Sequence, residues 1–322
     1  MTRYGICLSP FMDIRHPELV RLAREAEDAG FAGVFIPEGT NDGLMCCYAI
    51  ACATTRIRIA TWIANIYFRE PVLCAAGAAM VQEESNGRFV LGLGVSHRPA
   101  MQSLGIEMGK PREFLRGYTL ELRRLLRGEA DGSSGRRVRT SPPTVPIYFA
   151  ALTLETARLG GELADGLMLD LCTPERLRTA IASAHGTARR CGRTPADVIL
   201  TTGIPVFLSD AREEAFEAAR RTLGRYATLP AYNRLFQRSG FDSEMTAVRD
   251  AVSKGDSNAV VAAISDRMTD ALALAGPNAR CIEQLEQFRE SGADTLILRP
   301  FPVREDYASC VRRAIRAFGK SG

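Results

Sequence analysis

Arg88-Phe-Val-Leu-Gly-Leu-Gly-Val-Ser-His97 is an apolar run that passes through Gly92 and Gly94 and stops on two polar residues, Ser96 and His97. Such a run suits a strand opening onto a pocket, and a histidine at its end has the pKa range for moving a proton. A second run, Ile57-Arg-Ile-Ala-Thr-Trp-Ile-Ala-Asn-Ile-Tyr67, carries Trp62 and Asn65 where turn residues would be ordinary. The two runs together point to an enzyme.

Each candidate has more than one reading. His97 is either a proton carrier or a capping histidine. Glu38 ends Val34-Phe-Ile-Pro37, where its carboxylate either accepts a hydrogen bond from a bound heterocycle or pairs with Arg56 or Arg69. Trp62, the only tryptophan, is core packing or a platform for a ligand. Thr153 starts a helix, so the free N–H groups of Leu152, Thr153 and Leu154 favour an anion such as phosphate, unless Thr153 is an ordinary N-cap. Phe11, Met45, Tyr67, Tyr232 and Phe236 are candidates to line an apolar substrate pocket.

Several chemistries are disfavoured. His16, His97 and His185 fall at unrelated places, and the nine cysteines show no spaced pairs around them, so neither a metal centre nor a disulfide framework is expected. There is no Gly-X-Ser-X-Gly elbow for a serine hydrolase. A net charge of +4 is too small to suggest nucleic acid. Without a leader-like start or a bilayer-length apolar stretch, the chain is expected in the cytoplasm, away from membranes.

The elements that must position these residues alternate along the chain. Strands are expected at Tyr4–Leu8, Gly33–Pro37, from Ile57, from Phe89, and at Ile147–Ala151, Gly166–Leu169, Val198–Leu208 and Thr295–Arg299. Helices are expected between them, among them Pro17–Ala29, Pro71–Glu84, Pro111–Leu126 and Tyr307–Phe318, with a surface loop over 128–146. A mostly helical insertion over about 229–275 is expected above the mouth. Eight strands with helical crossovers predict a single-domain (β/α)8 TIM barrel over 1–322, with its chemistry at the C-terminal strand ends, including Asp170 and Arg299.

Ala23-Arg-Glu-Ala-Glu-Asp-Ala-Gly-Phe31, Ile59–Tyr67, Asn86-Gly-Arg-Phe-Val-Leu-Gly-Leu-Gly94, Leu104–Pro111, Leu163-Ala-Asp-Gly166 and Ser291-Gly-Ala-Asp294 carry a resemblance that runs nearly end to end. The chain resembles the luciferase-like flavin and deazaflavin oxidoreductases, most of all the methylenetetrahydromethanopterin reductase branch. The resemblance implies a homodimer that binds coenzyme F420 or FMN at the barrel mouth. It puts a non-prolyl cis peptide at Trp62-Ile63 against the central ring, with Glu38, Thr61, Asn65, Gly94, Val95 and Ser96 around the ring. His97 stands where relatives carry a proton-handling acid, and Ala151, Leu152 and Thr153 match the phosphate-binding helix start. There are three departures. Gly39 replaces a histidine, Trp62 replaces a small residue and is expected to crowd the ring, and Ala151-Leu-Thr-Leu-Glu155 lacks the glycine and lysine of close relatives.

Three readings follow. The first is an F420-dependent oxidoreductase passing a hydride to or from a small organic substrate, with His97 and Glu38 as catalytic candidates. The second is an FMN-dependent monooxygenase. The third is a cofactor-free binding barrel.

Overall fold

The computed structural model describes residues 3–319 apart from Ser133 and Thr140. Its strands are β1 Arg3–Cys7, β2 Gly33–Ile36, β3 Arg58–Thr61, β4 Ala64–Asn65 and β5 Phe89–Gly94, followed by β6 Ile147–Ala150, β7 Gly166–Asp170, β8 Ile199–Leu208, β9 Leu274–Gly276 and β10 Thr295–Pro300. The parallel order β10, β1, β2, β3, β5, β6, β7, β8 closes on itself because β8 also pairs with β10, Thr201 opposite Thr295. That closure makes the expected (β/α)8 barrel.

Strands buried on both faces need continuous apolar sequence, and Gly33-Val-Phe-Ile36 and Phe89-Val-Leu-Gly-Leu-Gly94 are buried throughout. One set of their side chains meets the surrounding helices. The other set fills the barrel with Cys7, Phe35, Ala60, Val90, Tyr148, Met168 and Ile297. Helices Pro71–Glu84 and Tyr307–Phe318 form over the expected residues. The stretch 128–146 carries no helix or strand among its described residues.

The insertion is helical, as Pro230–Gln237, Asp242–Ser253, Ser257–Ala262 and Asp266–Leu272. Its placement differs from the expectation. Helix 230–237 reaches the mouth through Tyr232, whereas helices 257–262 and 266–272 pack on the outer helix Arg212–Ala227. The end of the stretch is strand β9, which pairs with Val206–Leu208 of β8. Three residues are too few to show a period in sequence. Two further differences bear on the site. The third strand is split into β3 and β4 by a cis Trp62-Ile63 peptide, and a six-residue helix, Arg98–Ser103, starts directly after His97.

Candidate active site

The split in the third strand is held by side chains that would otherwise be free. Thr61 Oγ1 donates to Gly92 O at 2.8 Å and accepts from Gly92 N at 2.9 Å, so one hydroxyl replaces the backbone ladder between β3 and β5. Trp62 then turns into the barrel. Its indole lies edge-on to Phe35 at 6.3 Å, with the Arg299 guanidinium 5.3 Å from its ring. A Cβ at Gly203 would land on the indole and 2.7 Å from Asp170 Oδ1, so glycine on β8 makes the room that Trp62 takes. The crowding expected from Trp62 is absorbed inside the barrel. Ile63 packs over Gly94, where a Cβ would lie 2.5 Å from Ile63 Cγ1. Both bulge side chains stay half-exposed and floor the mouth.

Glu38 does not present a free carboxylate. Its side chain is only 1% exposed and pairs with Arg69 at 2.6 Å, which also pairs with Asp42 at 2.8 Å. Glu38 Oε1 accepts from Gly43 N at 3.0 Å, and Oε2 accepts from Asn65 N at 2.9 Å. Asn65 is spent in the same way, accepting from Tyr67 N at 3.0 Å and donating to Met101 Sδ at 3.3 Å. Thr61, Glu38 and Asn65 therefore spend their polar groups within the bulge. A buried carboxylate is held where donors converge on it, and the pairing with Arg69 was the alternative reading of Glu38.

His97 is placed differently. Ser96 before it has φ 59, a left-handed turn that directs the chain out of β5 beside the half-exposed Val95. The half-buried His97 ring lies 5.4 Å from the Tyr232 ring, and its nitrogens have no hydrogen-bond partner among the described residues. Its side chain does not cap helix 98–103. Burial lowers its pKa below the ordinary 6.5, so the imidazole is neutral at pH 7 and can accept a proton.

Beneath the mouth lies a polar group whose pairing the sequence left unread. Arg299 on β10 binds both oxygens of Asp170 on β7 at 2.7 Å and donates to Tyr226 Oη at 2.7 Å. Tyr232 helps hold the same carboxyl down, and its ring lies 4.9 Å from that of Tyr226. Burial pushes the Asp170 carboxyl up, against the pull of the Arg299 guanidinium. Leu171, the next residue, has φ 51, so the ends of β5 and β7 both leave the barrel through left-handed residues. Strained backbone of this kind gathers at functional sites.

The remaining candidates are scattered. Phe11 lies at the rim against Gly39, where a Cβ would come within 3.1 Å of its ring. Tyr67 instead stacks on Phe114 at 4.9 Å and donates to Met108 O at 2.8 Å, lining a surface pocket with residues 107–110. Met45 is 65% exposed on the outer helix Gly43–Ala53, so it lines no pocket at the mouth. Phe236 is buried behind Tyr232, 6.1 Å between rings. Thr153 caps helix Leu154–Leu163 by accepting from Thr156 N at 3.2 Å, and buried Ala151 donates to Met168 O at 3.0 Å. Leu152 and Thr153 remain half-exposed at the helix start. The carboxyl of Glu155 there is held low by its own backbone N–H, by Thr153 and by Arg112 and Arg238, so two cations flank this helix start.

The family model described as luciferase-like monooxygenase matches residues 5–295. The chain belongs to that family. It is 25% identical to the 5,10-methylenetetrahydromethanopterin reductase of Archaeoglobus fulgidus, over 99% of this chain and 98% of the relative. Among solved structures, the coenzyme F420-dependent tetrahydromethanopterin reductase of Methanopyrus kandleri superposes with a TM-score of 0.81 at 19% identity, over 99% of this chain and 98% of its own. An F420-dependent secondary alcohol dehydrogenase solved with an F420-acetone adduct gives 0.78 at 17% identity, over 99% and 100%. These likenesses show the fold, and the family is one of oxidoreductases.

A flat, anionic cofactor fits the residues present. The floor of Trp62, Ile63 and Val95 is apolar and half-exposed, His97 three residues beyond Gly94 carries no side-chain hydrogen bond among the described residues, and Arg112 and Arg238 offset Glu155 where a phosphate would be received. No helix among the described residues is long and apolar enough to cross a membrane.

Proposed function

We propose that this protein is a coenzyme F420-dependent oxidoreductase acting on a small organic substrate at the mouth of the barrel. The observation that carries the reading is the neutral His97, without a hydrogen bond among the described residues, three residues beyond the Gly94 on which the half-exposed Ile63 packs, and the relatives named above add weight. When bound, the deazaflavin supplies or receives the hydride. Trp62, Ile63 and Val95 would support the ring, while Leu152, Thr153, Arg112 and Arg238 would hold its phosphate. His97 takes the accompanying proton from the substrate. Glu38, Thr61 and Asn65 are positioning residues that fix the floor. Tyr232 closes the far side of the pocket and excludes water from it.

Equilibrium titration of the protein with coenzyme F420 and with FMN, followed by cofactor fluorescence, tests this reading. Tighter binding of F420 is expected. Equal or tighter binding of FMN would favour a flavin monooxygenase, and no saturable binding of either would favour a cofactor-free barrel.

The same reading includes a homodimer. Helix 43–53 has no charged residue, and helix 71–84 gains its first only at Glu83, yet Met45, Leu73 and Met80 are 65%, 66% and 50% exposed. Apolar helix faces of this extent are normally covered. On the same helices Ile50 is fully buried against the core and Val72 is half-buried, so Met45, Leu73 and Met80 carry the exposed apolar face. Light scattering at micromolar concentration should give twice the chain mass. A monomer mass there would remove the dimer from the account.

A further inference from the structure

A hydrogen bond to one ring nitrogen commonly sets the direction of a working histidine, and His97 has none among the described residues. Packing must therefore orient it, and the ring against it is Tyr232, 5.4 Å away and tilted by 52°. Tyr232 is carried by helix 230–237 of the insertion rather than by a barrel strand, so it has to be held in turn. Tyr226, in the last turn of the outer helix Arg212–Ala227, meets it edge-on at 4.9 Å. Pro230 cannot continue the outer helix and starts the next one, and buried Asn233 donates back across the break to Ala227 O at 3.1 Å. The two tyrosines thus face each other over a short connection closed by a hydrogen bond.

Tyr226 is anchored at its other end. Its Oη accepts from Arg299 Nη2 at 2.7 Å, and the guanidinium carbon lies 5.6 Å from its ring. The same guanidinium pairs with both oxygens of Asp170 on β7 and lies 5.3 Å from the Trp62 indole. We propose that Tyr226 is a positioning residue for His97, tying the ring that packs on the proton carrier to the guanidinium that packs on Trp62. One cation rooted in β10 then sets both the floor and the wall of the mouth. A misplacement of about 1 Å at a reacting group costs about 10²-fold in rate, which is what such an anchor prevents. Tyr226 itself exchanges no proton in this account. The inference rests on the reading of His97 as the proton carrier.

The test follows the His97 imidazole proton signal by NMR in the protein without cofactor, the signal being identified by its loss in His97→Ala. Tyr232 is the titratable group against the ring, and burial, without a charged neighbour, is what lowers the His97 pKa. In Tyr226→Leu the wall loosens, so the signal should move and its pKa should rise toward 6.5. Tyr226→Phe keeps the ring but loses the link to Arg299, and should lie between Tyr226→Leu and the wild type. With F420 bound, Tyr226→Leu should lower single-turnover hydride transfer by about 10- to 100-fold, but by less than about twofold in a His97→Ala background. An unmoved His97 signal in Tyr226→Leu, or the same fold loss with and without His97, overturns the positioning role. A Tyr226→Phe signal identical to that of the wild type overturns its dependence on Arg299. Because the signal is read without cofactor, a failure of F420 to bind bears on the F420 reading alone.

Discussion

His97→Ala is expected to lower single-turnover hydride transfer by about 10²- to 10⁴-fold, the usual contribution of a positioned acid or base, with cofactor affinity nearly intact. The ring is half-buried against Tyr232, has no hydrogen bond to lose among the described residues, and caps nothing with its side chain. Its removal should therefore cost rate and little stability. The pH dependence gives a second signature. Burial holds the His97 pKa below 6.5, so the base is present at pH 7. In the direction in which the substrate gives up a proton, the wild-type rate should fall as pH drops through that lowered pKa, and the fall should vanish in His97→Ala. His97→Asp or His97→Glu should recover part of the rate. An unchanged rate on folded, cofactor-saturated His97→Ala would remove this residue from the mechanism.

Arg299→Met should be the most destabilising single change in the barrel mouth. It leaves Asp170, whose two oxygens face Arg299 at 2.7 Å, without the guanidinium that pairs with it in a buried place. Breaking a buried pair from one side costs about 3–5 kcal/mol, because the surviving charge is uncompensated. Asp170→Asn in the same chain should restore much of the loss. The sign with pH follows from the raised Asp170 pKa. Without Arg299 the folded state favours the protonated carboxyl more than the unfolded chain does, so the deficit grows as pH rises through the folded pKa and shrinks below the unfolded one. Denaturant unfolding at several pH values measures this. A deficit that does not vary with pH would show that lost packing, rather than the charge on Asp170, is responsible.

The barrel was legible because its strands are continuous apolar runs bounded by glycine and proline, and its helices carry clear apolar faces such as Leu19, Leu22, Ala23 and Ala26. What could not be read from sequence was how side chains at strand ends spend themselves. Glu38 and Asn65 lie 27 positions apart and meet through a backbone N–H, a contact that only the closed sheet creates. Asp170 and Arg299 were both placed at strand ends, yet their pairing spans 129 positions. It requires β7 and β10 to flank β8, a consequence of closure rather than of any local pattern. The compensation of Trp62 by Gly203 is of the same kind. Gly203 in Thr-Thr-Gly-Ile-Pro has no local reason to be glycine, and its reason is the indole that arrives from the third strand.

The proposed site sets the cofactor ring on the Trp62-Ile63 floor, and the chain provides its own reporter because Trp62 is its only tryptophan. Titration with coenzyme F420 while following tryptophan emission should show nearly complete, saturable quenching that tracks the change in cofactor fluorescence. Tryptophan emission that stays undiminished while F420 binds would contradict the account.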